Sequence, residues 1–524
     1  MKRILSLLSI CFFLQLTGAE IQDWSTPPET ISTLGVDASN PHNAMDLNGN
    51  IVAIWVENGA IISKNKLVGE DWSTATQLAS SGGSAPQIVV DPSGNATAVW
   101  VQSGVIKACS QPLGSTWGTV KTLSSSGASS PQIAVNTATG DVVAVWVNAG
   151  IVKSSTKAFG GSWSLVADTL SATNSAAPQV AFGSGGKVIA TWHTLNSVSN
   201  VYNVNQATKT GSLGTWSVAA MISDPSINSV FPQAAVDANG NIFAIWYTYN
   251  LQGNVYSNVV LQSAIMLSGS PWSTPADVSE PGRINPVNLT SKVVCNETGA
   301  IAVWTNSFDG ATYVAETAST DADQQWISPK TLAKSLYTVD FGLTLNTQGD
   351  VFGLDMTYND LTNYLFIEAN ETHIGGYLNG TWGNPTVIST GTINAYPEIA
   401  ATTHGTHNYA CALWLGFNGS NNVILCSFGT GNTITSPSNV AVTQTTNDRS
   451  VFTEYYNTIT WDASSDPSLA GYALYRDGLY IAFINAGTLT FTDHNQLHNG
   501  PVTYGVSAID TTGTESVIVS VTYP

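Results

Sequence analysis

Four acidic residues in predicted loops could take part in acid–base chemistry: Asp309, Asp355, Asp360 and Glu398. Glycoside hydrolysis needs two carboxyl groups, one acting as acid and the other as base or nucleophile. Two interpretations stay open at the level of sequence. A pair facing each other across a cleft at about 5–10 Å would indicate a glycosidase, whereas separate residues would be solvated surface acids.

Three histidines, His193, His404 and His407, are the remaining candidates for bases or metal ligands. His404 and His407 are three residues apart on a predicted turn, and no glutamate accompanies them as it does in helical zinc hydrolase motifs. The chain contains no CxxC spacing, nucleophile elbow, phosphate loop or dinucleotide fingerprint. We therefore predict no catalytic residue, no metal site and no cofactor.

Sialic acid chemistry is disfavoured by the arginine content. A cluster of arginines is needed to clamp a carboxylate bidentately, and Arg283 is the single arginine between residues 20 and 430. The Ser-x-Asp-x-Gly-x-x-Trp boxes typical of sialidases are also absent.

Aromatic residues are concentrated in segments that the sequence predicts as loops, such as "YTYNLQGNVY" and "TYNDLTNYLF". Exposed aromatic rings and amides suit a glycan or a protein loop. The alternative is that these segments are merely longer, soluble hairpins. The predicted ligand-binding residues are Tyr247, Tyr249, Tyr256, Arg283, Phe308, Tyr313, Tyr358, Tyr364 and Tyr396.

The elements that would position these residues are repeats. The consensus repeat has Pro-Gln, a short apolar strand, a Gly-containing turn, a strand ending near Trp, a third strand, and a fourth strand that begins with Trp. The second-strand tryptophans are Trp55, Trp100, Trp146, Trp192, Trp246, Trp304 and Trp414, and the seventh repeat has Asp355 at this place. Four strands in each period of roughly 45–58 residues predict an all-β propeller over residues 20–430.

The ends of the repeat array predict how the ring closes. "DWSTPPETIS" at 23–32 matches the fourth strand "DWSTATQLAS" at 71–80, whereas the last repeat lacks a fourth strand. The N-terminal segment is therefore predicted to supply the outermost strand of the last blade, which removes an open sheet edge. This arrangement gives eight blades. Seven is the alternative, if the divergent seventh repeat does not form a blade.

A different module follows a linker at residues 431–436. Pro437-Ser438-Asn439-Val440, "NTITWDAS" with Trp461, "LAGYALYRDG", and "YGVSAIDTTGTES" with Tyr504 occur in this order. Residues 437–524 resemble a fibronectin type III domain. The resemblance implies a β-sandwich, of a kind that serves as a spacer or adhesion module in secreted bacterial proteins.

The N-terminus and the net charge bear on localisation. Lys2 and Arg3 precede an apolar run that ends near Thr17-Gly18-Ala19, which predicts a signal peptide at residues 1–19 and a secreted or cell-surface protein. A lipoprotein signal ending at Cys11 is the rival interpretation. The formal net charge of −19 disfavours nucleic acid as a partner, and no later segment is long and apolar enough to span a membrane.

Two cysteines, Cys411 and Cys426, flank a predicted hairpin centred on Asn418-Gly419, which would place them opposite each other. They are predicted either to form a cross-strand disulfide or to remain two buried thiols.

These features predict a secreted, non-enzymatic recognition or adhesion protein that binds a glycan or an extracellular protein through the loop-rich propeller face. The alternative is a secreted carbohydrate-active enzyme, a glycosidase or lyase, with an accessory fibronectin type III module. A purely structural surface-layer component is a third hypothesis. The oligomeric state stays open.

Overall fold

The computed structural model describes residues 23–112, 114–253, 255–282, 290–306, 313–321, 324–327, 329–335, 341–346, 350–359, 364–373, 382, 385–390, 394–404, 407–432, 434–448, 453–477, 479–497, 501–511, 516 and 518–523. Their regular structure consists of β-strands joined by turns, with no helix among these residues. The chain divides into two compact units, one spanning Ile21–Asn432 and one containing Thr433–Pro524.

The first unit is a series of antiparallel sheets. Its strands are β1 (Asp23–Trp24), β2 (Glu29–Thr30), β3 (Ala38–Met45), β4 (Ile51–Glu57), β5 (Ala60–Lys66), β6 (Thr76–Ala79), β7 (Gly83–Val90), β8 (Ala96–Gln102), β9 (Val105–Gln111), β10 (Lys121–Thr122), β11 (Ala128–Val135), β12 (Val142–Asn148), β13 (Ile151–Lys157), β14 (Asp168–Thr169), β15 (Ser175–Phe182), β16 (Lys187–Asn196), β17 (Val201–Thr210), β18 (Ala220–Met221), β19 (Asn228–Val236), β20 (Ile242–Gln252), β21 (Val255–Met266), β22 (Ala276–Asp277), β23 (Ser291–Asn296), β24 (Gly299–Asn306), β25 (Tyr313–Ser319), β26 (Lys330–Ser335), β27 (Phe341–Leu345), β28 (Asp350–Asn359), β29 (Tyr364–His373), β30 (Thr386–Val387), β31 (Asn394–His404), β32 (His407–Phe417) and β33 (Asn422–Asn432).

Within the described residues these strands form eight sheets. Sheet 1 is β3–β6, sheet 2 is β7–β10, sheet 3 is β11–β14, sheet 4 is β15–β18, sheet 5 is β19–β22, sheet 6 is β23–β26, sheet 7 is β27–β30, and sheet 8 is β31–β33 with β1 and β2. The strands in each sheet are neighbours in chain order, apart from the N-terminal pair in sheet 8.

The sheets are stacked through apolar second strands. All seven residues of β4 are buried, and the β-branched residues in "IVAIWVE" suit a strand that is covered on both faces. Trp55 lies among Leu413 and Ile424 of sheet 8, and Trp100 lies among Val52 and Ile54 of sheet 1. The repeated tryptophans therefore pack between neighbouring sheets.

The sheets are arranged in a ring around their first strands. Each first strand contacts the next, from β3 through β7, β11, β15, β19, β23 and β27 to β31, and β31 contacts β3. The fold of this unit is therefore all-β and propeller-like.

The N-terminal segment closes the ring in the way the sequence predicts. Trp24 of β1 pairs with Gly429, and Thr30 of β2 pairs with Leu425, so both short strands lie on the outer edge of β33. The sheet that they join contains Trp414 on β32. Sheet 8 is thus built from the two ends of the unit, which leaves no unpaired edge at β33 in this segment.

The second unit contains two sheets. Its strands are β34 (Ser438–Asp448), β35 (Thr453–Asp462), β36 (Leu469–Arg476), β37 (Leu479–Asn485), β38 (Thr490–Asp493), β39 (Val502–Asp510) and β40 (Val519–Tyr523). The strand orders are β34-β35-β38 and β37-β36-β39-β40. Trp461 of the first sheet packs edge-on against Tyr472 of the second, with ring centroids 5.3 Å apart, so the sheets share one core.

Candidate functional site

The first strands of the propeller-like unit enclose a polar cavity of about 430 Å³. Because these strands contact one another in a closed circle, the cavity lies at the centre of the ring. Ser291 of β23 lines the cavity, and at one equivalent register position each first strand except β27 contributes a polar side chain. We call these side chains the channel ring: His42, Gln87, Gln132, Gln179, Gln233, Lys292 and Glu398.

A repeated β-bulge places most of the channel ring. In six first strands the ring residue follows a proline, and the residue before that proline has a positive φ of 46–53°. These bulge residues are Asn40, Ala85, Ser130, Ala177, Phe231 and Tyr396. The pairing register skips at each of them. A bulge redirects the following side chain, and proline suits it because proline has no N–H to donate to the ladder.

A chain of polar contacts crosses one side of the cavity. Lys292 Nζ lies 3.4 Å from Glu398 Oε2 and 3.5 Å from its Oε1. Glu398 Oε1 also lies 3.8 Å from His42 Nδ1, and the other ring nitrogen of His42 lies 3.0 Å from Nε2 of Gln87. The four residues belong to sheets 6, 8, 1 and 2, which follow one another around the ring with sheet 7 between the first two, so this network connects the sheets along one side of the cavity.

The ion pair spans sheet 7 because that sheet contributes no side chain at this level. Each ring residue pairs with the residue that precedes the second-strand tryptophan, and Gly342 pairs with Leu354, immediately before Asp355. A Cβ on Gly342 would lie 3.1 Å from the carbonyl oxygen of Pro397. The glycine therefore keeps β27 close to β31 and leaves room for Lys292 to reach Glu398.

The cavity has little net charge at neutral pH. Burial lowers the pKa of His42, and this effect outweighs the raising influence of Glu398; Lys292 lowers the pKa further. His42 is therefore neutral at pH 7, and the Lys292 ammonium balances the Glu398 carboxylate. The other described lining residues carry no charge.

Three ring amides are available to a ligand. The side chains of Gln132, Gln179 and Gln233 line the cavity and make no hydrogen bond to another described residue. Each primary amide offers two donors and an acceptor. The half-buried Phe231, at the bulge of sheet 5, adds an aromatic surface to the same cavity.

Two of the predicted ligand-binding residues are not exposed platforms. Tyr247 and Tyr249 lie in β20, which continues through the segment predicted as a loop, and both are buried in one apolar cluster. The hydroxyl of Tyr247 donates to the carbonyl oxygens of Thr290 and Thr305, at 2.6 and 3.0 Å. Burial raises the pKa of Tyr249 to about 12. The expectation of exposed rings is wrong here because residues i and i+2 of a strand share one face, and this face is covered.

The other predicted residues have varied positions. Tyr256 is half-buried with its ring centroid 5.2 Å from that of Tyr249, and Tyr396 is 57% exposed at the bulge two residues before Glu398. Tyr313, Tyr358 and Tyr364 lie in β25, β28 and β29, where only the backbone is described. Arg283 and Phe308 lie outside the described residues. Binding by these side chains stays a prediction.

The predicted acids do not converge within the described part of the chain. Glu398 is the one carboxylate among the described residues that line the cavity. Asp355 lies inside sheet 7, opposite Phe341 and Glu368 in the register. Asp309 and Asp360 lie outside the described residues.

The predicted histidine candidates are also apart. His193 is buried against the rings of Tyr202 and Phe231, and burial lowers its pKa to about 4. His404 and His407 pair with each other at the exposed end of the β31–β32 hairpin. No group of three or more His, Cys, Asp or Glu side chains in the described residues is placed to hold a metal ion.

The cysteines meet diagonally across two strands. Cys411 pairs with Phe428 and Cys426 pairs with Leu413, so the expectation that they are directly opposite is wrong by two residues. Their Sγ atoms nevertheless lie 3.7 Å apart as free, fully buried thiols. The offset arises because the turn occupies residues 418–421 and is centred one residue later than predicted.

Within the described residues no helix combines the length and apolar character required to cross a membrane.

Several solved structures are similar to this chain at low identity. They include the Dos1 propeller (TM-score 0.46, 7% identity, 77% of this chain and 93% of that one) and polysaccharide lyase Uly1 (TM-score 0.41, 9% identity, 73% and 88%). The α-L-arabinanase of Penicillium chrysogenum in complex with arabinobiose gives a TM-score of 0.32 at 12% identity, covering 79% and 96%. No family model and no curated protein match the chain. At this level of likeness the sheet topology remains the basis for the fold.

Proposed function

We propose that the protein is a secreted, non-enzymatic recognition protein that binds a glycan or an extracellular protein at the hairpin-bearing face of an eight-bladed propeller. The number of blades is supported by the eight sheets of the described residues and by the circle of contacts between their first strands. Secretion is inferred from the N-terminal sequence, and a bacterial source from the resemblance of the C-terminal module.

The second unit is proposed to be a fibronectin type III domain that acts as a spacer. Its three-stranded and four-stranded sheets, with Trp461 and Tyr504 in a shared core, are consistent with this assignment. The hydroxyl of Tyr504 donates to Asp493 at 2.7 Å and accepts from Asn457 at 3.1 Å.

The observation that supports binding rather than catalysis is the composition of the central cavity. A glycosidase needs two carboxyl groups, and the described lining offers Glu398 alone, already paired with Lys292. The remaining polar lining consists mainly of uncharged amides and hydroxyls. Such groups orient a ligand by hydrogen bonds without supplying an acid and a base.

The long hairpins lie on the same side of the channel ring as Phe231, which also lines the cavity. Second and third strands have seven residues each in sheets 1–3, but ten to twelve in sheets 4, 5, 7 and 8. Val230 pairs with Tyr247 and Gln233 with Ile245, so Phe231 lies on the hairpin side of the channel ring. The extended hairpins can therefore surround a ligand that enters the cavity.

The experiment is a glycan array probed with the purified full chain, followed by incubation with each hit and analysis of the products by mass spectrometry. Binding without product is the expected result. Release of sugar, or of an unsaturated product, would overturn the proposal in favour of the carbohydrate-active enzyme. If the array gives no hit, capture of a defined extracellular protein partner with micromolar affinity is required, and failure of both would refute recognition.

A further inference from the structure

We propose that the channel ring is a binding site for one neutral pyranose unit, that is, a polyhydroxylated sugar without formal charge. This inference rests on the proposed function, for which it names the ligand class and the contacts. The hairpins would then meet the rest of a glycan, and the cavity would receive its end.

The hydrogen-bonding groups of the cavity match a polyol. Gln132, Gln179 and Gln233 come from three consecutive sheets, and their amides have no other partner among the described residues. A sugar hydroxyl both donates and accepts, so it can bind the NH₂ group of one amide and the carbonyl of the next. A ligand that only accepts or only donates would use half of this capacity.

The charges of the cavity disfavour an ionic ligand. Lys292 and Glu398 compensate each other at 3.4 Å, and His42 is neutral at pH 7. An acidic sugar would approach Glu398 without a spare cation, and an amino sugar would approach Lys292 without a spare carboxylate. The protein as a whole also carries a formal charge of −19, which adds to the repulsion of anions.

The remaining lining suits the apolar face of a pyranose. Phe231, Val293 and Leu343 line the same cavity as the glutamines. An aromatic ring can cover the C–H face of a sugar while the amides bind its hydroxyl edge. The volume of about 430 Å³ falls in the range of small-ligand pockets, roughly 300–1,000 Å³.

The backbone of Phe231, in the cavity wall, is held in an unusual conformation. Its φ of 52° is unusual for a bulky residue, and its N–H donates to Nδ1 of His193 on the neighbouring sheet at 3.3 Å. This contact fixes the bulge and therefore the direction of the aromatic ring beside Gln233.

The test uses isothermal titration of the full chain with the methyl glycosides of glucose, galactose, mannose and fucose, and with glucuronic acid and glucosamine. At least one neutral glycoside is expected to bind at one site per chain, and more tightly than either charged sugar. The double substitution Gln132→Ala/Gln179→Ala is expected to weaken that binding about tenfold or more, because two amide contacts are lost. Gln77→Ala, an exposed glutamine on β6, is the matched control and should bind like the unmodified protein.

A charge variant tests the ligand class separately. Glu398→Gln keeps the shape of the side chain but leaves Lys292 uncompensated, so the ratio of glucuronic acid to neutral glycoside affinity should rise several-fold. An unchanged ratio would overturn the assignment of a neutral ligand. Thermal unfolding of each variant identifies any that has lost its fold. Only the variants that stay folded are used to judge the assignment of a neutral ligand.

The two proposals can fail separately. If array hits persist in Gln132→Ala/Gln179→Ala at unchanged affinity, the channel site is wrong while recognition by the outer face stands. If a neutral glycoside is bound in the channel and converted to product, the non-enzymatic function is wrong while the site stands. If neither array nor titration detects a sugar, the channel inference is overturned.

Discussion

Replacing Ile31 by alanine tests how the N-terminal segment closes the propeller-like unit. The Ile31 side chain is 1% exposed and lies in one cluster with Trp55, Cys411 and Ile424. Its backbone N–H donates to the carbonyl oxygen of Ile424 at 3.0 Å, and this hydrogen bond does not depend on the side chain. The substitution therefore isolates the apolar contact between the segment and the last sheet.

The expected loss can be derived from this burial. Truncating a buried isoleucine to alanine removes transfer free energy and leaves a cavity, for a total of about 2–5 kcal/mol. Ile31 is on a short edge segment that can relax toward the cavity, so we expect about 2–4 kcal/mol. Leu34→Ala is the matched control: Leu34 is 75% exposed, and the expected change is below about 0.5 kcal/mol.

The assay is urea unfolding followed by tryptophan emission. Of the sixteen tryptophans, Trp461 is the only one in residues 433–524, so the signal reports mainly on the first unit. Ile31→Ala should lower the urea midpoint relative to both the unmodified protein and Leu34→Ala. Coincident midpoints for the two variants would refute the reasoning, since the closing segment would then contribute no more than an exposed loop.

Three further predictions address the core and the second unit. Native Cys411 and Cys426 should react with a disulfide reagent at pH 8 far more slowly than in denaturant, because burial raises the pKa of Cys426 well above its usual value and the neighbouring Cys411 raises it further; rapid native labelling would contradict this. Tyr504→Phe should destabilise the second unit by about 1–3 kcal/mol in thermal unfolding, because the hydrogen bond to Asp493 is lost. The pKa of His193 falls from 6.5 to about 4 on folding, so its contribution to stability is complete above pH 6.5 and is lost as the pH falls toward 4. A His193→Gln variant should lack this part of the pH dependence, and identical pH profiles of the unfolding midpoint would contradict it.

The repeat architecture could be predicted because its determinants are local and recur. A tryptophan near the end of seven of the eight second strands, with a glycine-containing turn before it, defines the same hairpin in one repeat after another. The match between "DWSTPPETIS" and "DWSTATQLAS" then places the N-terminal segment beside β33, where Trp24 pairs with Gly429. The repeat count and the position of the N-terminal segment depend only on the order of strands in each sheet. That order follows the order of the strands along the chain, apart from the N-terminal pair.

The length of the hairpins could not be predicted in the same way. The segment "YTYNLQGNVY" contains the polar and glycine residues of a loop, yet β20 extends to Gln252 and turns back only there. Alternation of Tyr247 and Tyr249 around a polar residue is the signal that favours a strand with one covered face. The same difficulty affected Cys411 and Cys426, since moving the centre of a turn by one residue changes the pairing partner by two.

The channel ring was hidden for a different reason. A Pro-Gln pair begins four of the eight repeats, and Pro-His and Pro-Glu begin two more, but the direction of the side chain after the proline depends on the bulge before it. Bulges at residues such as Ala85 and Ser130 have no distinctive amino acid, because the backbone there adopts a positive φ without glycine. The sequence thus shows the repeated residue, and only the register shows that it faces the cavity.

The variation around the ring argues for a ligand rather than for packing. Four consecutive sheets place glutamine at this level, whereas sheets 6, 7, 8 and 1 place Lys292, Gly342, Glu398 and His42. The core beneath changes much less, since seven of the eight second strands keep a buried tryptophan. A position needed only for packing would be expected to repeat with the tryptophan. Instead, the residue at this position changes in four successive sheets, 6, 7, 8 and 1. Charged side chains occupy sheets 6 and 8, and the glycine of sheet 7 leaves room for the ion pair between them. This asymmetry gives the cavity two chemically different sides, which is what a small molecule with an oriented set of hydroxyl groups requires.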